Sequence, residues 1–481
     1  MSPPQTNHTN FGIESHSIDY IAVTERHGKV RDQGPFWFTG NLQFLSISVG
    51  FIGPSMGLSF GWTSLAGILG VLFGTLFMAL HATQGPVTGL PQMVQSRAQF
   101  GYRGVVIVLL GAIVNYGGMN VVCALLIMSG LHSLFGWNQY LALAITAVPS
   151  TLLAIYGYDW LHLVLKILFW VSLPLYSILT LSIAGGLVPH GASPESSFNL
   201  VAFGVQFAAG ASYNIAFAPY VSDYSRYLPH NTKASSIIAA VFFGASGSAS
   251  WLVALGAWLA TRLNATDPLV AVSASGNAVI HGFGTLLAVD SVIVLLAVVS
   301  LDTYSGVLTL LTGVDSVRAI KPTRAIRTTF AGLFTAAWIT VTLLGGQDAI
   351  AALTLLLTVI LYMLVPWTAV NLVDYFWVRH GRYAITELFN PRGIYGVWAW
   401  RGLSAYFLGW AAILPFAVLP GMWTGPAAAQ LGGVDIGWLV GLLVSGASYF
   451  LICKGFSVSS ERQAIQVSEQ AIAAYALADG A

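Results

Sequence analysis

Three features of this chain could carry chemistry. Asp302, in Ala297-Val-Val-Ser-Leu-Asp-Thr-Tyr-Ser305, stands near the middle of an apolar run. A carboxylate at bilayer depth costs at least about 2.5 kcal/mol unless it is paired or wet. It therefore either satisfies another buried polar group or holds a ligand or a proton. Asn115-Tyr-Gly-Gly-Met-Asn120 places Tyr116 and Asn120 four residues apart, on one helical face. Amides in such positions also join neighbouring helices. Leu45 to Trp62 is apolar enough to enter a membrane, yet Gly50, Gly53, Pro54 and Gly57 crowd its middle. Pro54 has no N–H and blocks the carbonyl four residues earlier, so a helix here is expected to kink or break. Broken backbone at bilayer depth is tolerated where it is buried in protein or lines a wet cavity. Gly53, Pro54 and Ser55 are thus candidates for one wall of a binding site. A kink used only for packing is the competing explanation.

The residues of an enzyme or metal centre are not evident. The ten histidines are scattered, His81, His132, His162 and His281 among them, without metal-ligand spacing. Cys123 and Cys453 fall in apolar segments and offer neither a disulfide framework nor a cluster. No cofactor and no obligatory protein partner are expected.

The elements that position these residues are membrane helices. Hydrophobic residues make up 56% of the 481 and charged residues 8%, with mean hydropathy +0.75. The usual charged share is about 25%, so soluble, fibrous and disordered classes are excluded. A net charge of +1 without a dense basic tract gives no sign of a nucleic-acid partner. At about 20 apolar residues per span, an all-α polytopic protein of twelve spans is expected. The first six run 38–60, 63–83, 104–132, 139–157, 160–187 and 198–220, the second six 234–261, 280–312, 328–346, 349–374, 403–424 and 434–454.

Charge placement supports the count. With the N-terminus on the cytoplasmic side, Lys and Arg gather in alternate loops. Counting Lys166 near the inner start of the fifth span, only Arg262 falls outside that pattern. Residues 1–37 are then a cytoplasmic segment, expected to be retained rather than cleaved as a signal. Residues 38–374 form a ten-helix core, 375–402 a cytoplasmic loop, 403–454 two accessory helices and 455–481 a cytoplasmic tail. The sixth span carries a second interruption, Ala208-Ala-Gly-Ala-Ser-Tyr-Asn-Ile-Ala-Phe-Ala-Pro219. Breaks five spans apart are the signature of an inverted repeat, here about 38–187 and 198–374. Two matched breaks around one centre favour a transporter over a channel, a receptor or a membrane enzyme.

Several segments resemble the purine/cytosine permease branch of the nucleobase:cation symporter-1 family. They are Ile18 to Asp32 with Trp37 and Asn41, Ala98-Gln-Phe-Gly-Tyr-Arg-Gly104, Tyr220-Val-Ser-Asp-Tyr-Ser-Arg-Tyr227, Phe389 to Gly396, and Trp400-Arg-Gly402. The resemblance implies a leucine-transporter-like fold of five plus five helices with two more at the C-terminus. It also implies import across the plasma membrane, by alternating access, of a nucleobase or related heterocycle driven by H⁺ or Na⁺. Allantoin, hydantoin, uracil and thiamine-like pyrimidines are the alternative cargoes.

A nucleobase is flat, uncharged and edged with donors and acceptors, so its site needs rings for the face and amides or carboxyls for the edge. By resemblance, the family's stacking aromatic on the third span falls at Tyr116 and a polar position one turn on falls at Asn120. Its second aromatic, counted back from Asp223-Tyr-Ser-Arg226, falls on Asn214, a departure that leaves Tyr213 beside it or Phe207 nearby as substitutes. Asp302 could accept from a ring N–H or exocyclic amine, or carry the coupling proton. The hydroxyl positions of sodium-coupled relatives fall on Val298 and Val299, although Ser300 and Thr303 are close. Lys166 could place an ammonium at that ion site, or snorkel to the surface. H⁺ is the expected coupling ion, with Na⁺ as the alternative.

Overall fold

The structure, a computed structural model, describes residue 14, residues 16–191 and residues 198–479. Residues 1–13 of the expected N-terminal segment and 480–481 of the tail lie outside the described residues. The helices, in chain order, are α1 Val30–Asn41, α2 Phe44–Val49, α3 Ile52–Ser55, α4 Phe60–Ala82, α5 Gln84–Thr88, α6 Gln92–Gln95 and α7 Arg97–Phe100. Then come α8 Val105–Phe135, α9 Gln139–Tyr156, α10 Tyr158–Ala184, α11 Leu200–Ile215, α12 Val221–Ser225, α13 Ala234–Arg262 and α14 Pro268–Val279. The last are α15 Phe283–Val317, α16 Arg324–Leu344, α17 Ala349–Val373, α18 Trp400–Ile413, α19 Pro426–Gln430, α20 Gly437–Ile452 and α21 Arg462–Asp479.

Among the described residues, eight helices are long and apolar enough to cross a membrane. The other expected spans are met by shorter pieces: α1 to α3, α11 with α12, α18 and α20. This agrees with the expected order. The broken helices pack as a bundle because small residues let backbones meet: a Cβ on Gly50 would lie 2.2 Å from the Val253 carbonyl oxygen, and one on Gly256 2.0 Å from that of Ile47. Helices α1 and α2 thereby lie against α13, while α11 packs on α4. A second group, α8, α9, α15 and α16, forms a scaffold of mutual contacts. Helix α14 lies between the expected seventh and eighth spans. It starts cleanly because Asp267 accepts the Leu269 and Val270 N–H groups and Pro268 occupies the first turn.

Both breaks exist, but the first is not where proline suggested. Chain direction is interrupted at Leu42 and Gln43, between α1 and α2, where Gln43 is fully extended at φ −147°, ψ 161°. At Gly53 and Pro54 the helix merely ends. Its ladder there is completed by an inserted side chain: Gly53 N–H donates to Gln206 Oε1 at 2.7 Å, while Gln206 Nε2 donates to the Val49 carbonyl at 3.2 Å. The second break spans Ala216–Tyr220, between α11 and α12, and contains Pro219 as expected.

Candidate functional site

The two breaks face one another, and polar side chains hold them. Asn41 Nδ2 donates to Asn214 Oδ1 and to the Ala245 carbonyl, both at 3.2 Å. Asn214 in turn donates to Thr75 Oγ1 at 2.6 Å. The Tyr213 hydroxyl meets Ser46 Oγ at 2.7 Å and accepts from Gln43 Nε2 at 3.1 Å. Ser46 Oγ also caps the Asn41 carbonyl freed by the break, at 2.6 Å. Across from them, Asn115 Nδ2 donates to the freed Ala216 carbonyl at 2.6 Å. Thus Tyr213 and Asn214 stand at the centre, Asn214 as a fastener of α1 and α4.

Tyr116 is fully buried, its ring edge-on to Tyr220 with centroids 5.3 Å apart. Tyr220 and Asp302 are both buried, and Asp302 lies near Tyr220, Tyr116 and Tyr213. Asn120 donates to Thr303 Oγ1 at 3.1 Å. Tyr116, Asn120, Tyr213, Tyr220, Asp302 and Thr303 therefore form one constellation. Among the described residues, five buried polar atoms around it make no hydrogen bond: Asn41 Oδ1, Gln43 Oε1, Asn115 Oδ1, Asn120 Oδ1 and the Tyr116 hydroxyl. Such atoms are costly when left unsatisfied, and these five lie on α1, α8 and the first break.

Not every expected residue joins this centre. Gly53 is spent on Gln206, Pro54 is half-buried, and Ser55 is exposed with its hydroxyl bonded to the Ile52 carbonyl. Lys166 is exposed on α10. Ser300 returns its hydroxyl to the Leu296 carbonyl at 2.8 Å, while Val298 and Val299 are buried without an oxygen to offer. Phe207 stacks instead on Trp438, away from the break. Sequence reasoning missed Gln43, Trp37, Phe217 and Tyr220. Trp37 lies 5.7 Å from Phe217 and 6.3 Å from Tyr220 by ring centroid, so rings three and six residues after Asn214 line the second break. The signal was Phe217-Ala-Pro-Tyr220, an aromatic on each side of the helix-breaking proline.

The end of the molecule that carries both described termini is sealed. Glu14 sits in a socket where its Oε1 accepts from Tyr304 at 3.0 Å and from Tyr227, and lies 3.7 Å from Arg226. Its Oε2 accepts from the Tyr158 N–H at 3.1 Å and lies 3.6 Å from Arg327. Gly157, at φ +89°, leaves room for it: a Cβ there would lie 2.2 Å from Glu14 Oε2. Glu14 thereby ties α12 of the bundle to α15 and α16 of the scaffold. Arg97 adds a second tie, meeting Asp315 at 2.9 Å and the Thr312 carbonyl at 3.1 Å. Asp223 accepts the Gln92 N–H at 2.9 Å, and Arg226 donates to the Ser17 carbonyl, so these two serve the seal rather than the centre.

A broken-helix bundle on a helical scaffold, with a buried polar centre between the breaks, defines a membrane transporter rather than an enzyme. The comparisons agree. The family model for permeases of cytosine/purines, uracil, thiamine and allantoin matches residues 20–441. Bacillus subtilis (strain 168) YxlA, named provisionally as a purine-cytosine permease, is 34% identical over 445 residues, covering 92% of this chain and 96% of that protein. A vitamin B6 transporter of Saccharomyces cerevisiae is 26% identical over 295 residues, 58% of this chain and 49% of its own. The solved structure of Mhp1, a nucleobase-cation-symport-1 family transporter in a closed conformation with bromovinylhydantoin bound, superimposes with TM-score 0.70. It is 18% identical and covers 95% of this chain and 100% of that one. The chain belongs to the nucleobase:cation symporter-1 family.

Proposed function

We propose that the protein imports a purine or cytosine-type nucleobase across the plasma membrane, with both termini in the cytoplasm. The observation that carries this reading is the ring-and-amide constellation at the two breaks. Tyr116, Tyr220 and Phe217 offer faces to a flat ring. Asn120 Oδ1, Gln43 Oε1 and the Asp302 carboxylate offer acceptors to ring N–H and exocyclic amine groups, and the Tyr116 hydroxyl offers a donor. Unpaired acceptors outnumber donors, which suits an amine-bearing base such as cytosine or adenine better than uracil.

The coupling ion is a proton, and Asp302 is its carrier. Val298 and Val299 supply no oxygen and Ser300 is turned to its own helix, so the sodium ligands of α15 are wanting. The exposed Lys166 takes no part. Binding to the purified protein tests the cargo: in isothermal titration calorimetry with unlabelled cytosine, adenine, guanine, uracil, allantoin and hydantoin, an aminated base should bind saturably. A response confined to allantoin or hydantoin would replace the nucleobase with a related heterocycle.

A further inference from the structure

Away from the transport centre, a cavity of about 430 Å³ opens at the end carrying both termini, where α17, α18 and α20 meet the start of the tail. Two arginines face it, and they are not equivalent. Arg379 is fully engaged: Nη1 pairs with Asp374 at 2.5 Å, and Glu461 takes Nε and Nη2 at 3.1 and 2.9 Å. Arg401, half-buried at the start of α18, forms no ion pair among the described residues. Its guanidinium instead lies 5.6 Å from the Trp400 ring centre and 5.5 Å from that of Phe456. Glu461, the carboxylate of the cavity wall, is already spent on Arg379. Asp374 and Glu461 balance the two arginines in number, but both sit on Arg379, so among the described residues the Arg401 guanidinium lines the cavity among rings with no carboxylate in contact.

We infer that this cavity holds the phosphate of an anionic phospholipid, with Arg401 as its ligand. A planar guanidinium that lacks a carboxylate is suited to bidentate contact with phosphate. Trp377, Trp398 and Trp400 are 63%, 57% and 61% exposed around the opening, the ring girdle of a membrane–water boundary. Below them Phe407, Leu408, Phe450 and Leu451 expose an apolar surface on α18 and α20 along which acyl chains can lie. On the proposed topology this is the inner leaflet, where anionic lipids concentrate and attract Lys and Arg.

The test is binding to the purified full-length protein in neutral detergent. The probes are dihexanoyl phosphatidylglycerol, dihexanoyl phosphatidylcholine, glycerol phosphate and inorganic phosphate. Phosphatidylglycerol should bind saturably and the phosphatidylcholine far more weakly. Arg401→Gln should weaken the former by about tenfold, the loss of one charge-assisted contact, and Arg401→Lys should restore part of it. Arg324→Gln, which removes an exposed charge on the same face, should change nothing. Equal affinity for glycerol phosphate would overturn the lipid source, and unaltered binding by Arg401→Gln would overturn the site. Because binding in detergent has no sidedness, its failure removes the site and leaves the topology untouched.

Discussion

Replacing Glu14 with Ala should open the sealed end. In the closed structure its carboxylate accepts two phenolic hydroxyls, of Tyr304 and Tyr227, and one backbone N–H, of Tyr158. Arg226 and Arg327 keep other partners, the Ser17, Glu14 and His16 carbonyls, so the loss is chiefly those three hydrogen bonds. At about 1 kcal/mol net for each, the closed arrangement loses about 3 kcal/mol, at the lower edge of what breaking a buried charge pair costs. That is roughly a 150-fold rise in the open-to-closed ratio. Ser305, fully buried on α15 beside α12, is the reporter. In a background lacking Cys123 and Cys453, a Ser305→Cys protein should react slowly with a water-soluble maleimide, and the added Glu14→Ala change should speed labelling by about two orders of magnitude. Glu14→Gln, which keeps the acceptor but not the charge, should fall between. Labelling of the Glu14→Ala protein within about twofold of its parent would refute the latch.

Three further outcomes are expected. Tyr116→Ala should raise the KM for the transported base by about tenfold or more, as loss of a stacking ring does, whereas Tyr116→Phe should spare most of it; radiolabelled uptake by reconstituted protein reads both. Gln206→Leu should orphan the Val49 carbonyl and Gly53 N–H and lower stability by about 1–3 kcal/mol, seen as a reduced melting temperature in detergent. The third concerns pH. Burial opposes charge on His16, but Asp19 and Glu25, at 2.9 and 3.4 Å from its two ring nitrogens, push its pKa up to about 10. A raised value stabilises the docked segment fully below the ordinary 6.5 and loses that effect as pH climbs through about 10. Anisotropy of a fluorophore at the exposed Val23 position should therefore fall between those limits, and His16→Gln should flatten the change.

The membrane class, the order of spans and the bundle were legible because hydropathy and Lys/Arg placement act over long windows. The first break was not. Pro54 is a local signal, yet the rung just before it is carried by Gln206, 153 residues from Gly53 in sequence, whose amide bridges the Gly53 N–H and the Val49 carbonyl. The true break at Leu42–Gln43 has neither glycine nor proline. It exists because Asn41, Gln43 and Ser46 find partners on α11 and α13, a tertiary cause with no local trace. The glycines that drew attention to this stretch serve close packing, as Gly50 does against Val253. Helical period put Tyr116 and Asn120 on one face, and that spacing survives folding because both lie within the continuous helix α8. Counting from Asp223 puts the resembled ring position on Asn214, with Tyr213 or Phe207 as substitutes, and gives no hint of the rings Phe217 and Tyr220 that the chain sets around Pro219 beside Trp37.

Asp302 is where cargo and coupling meet, so it gives the sharpest test. Purified wild-type and Asp302→Asn proteins in proteoliposomes should be given radiolabelled cytosine or adenine under an inward proton gradient, and separately under a sodium gradient at fixed pH. The account predicts saturable accumulation by the wild type that collapses with a protonophore and is lost in Asp302→Asn. Accumulation that follows sodium alone, or that survives Asp302→Asn unchanged, would contradict it.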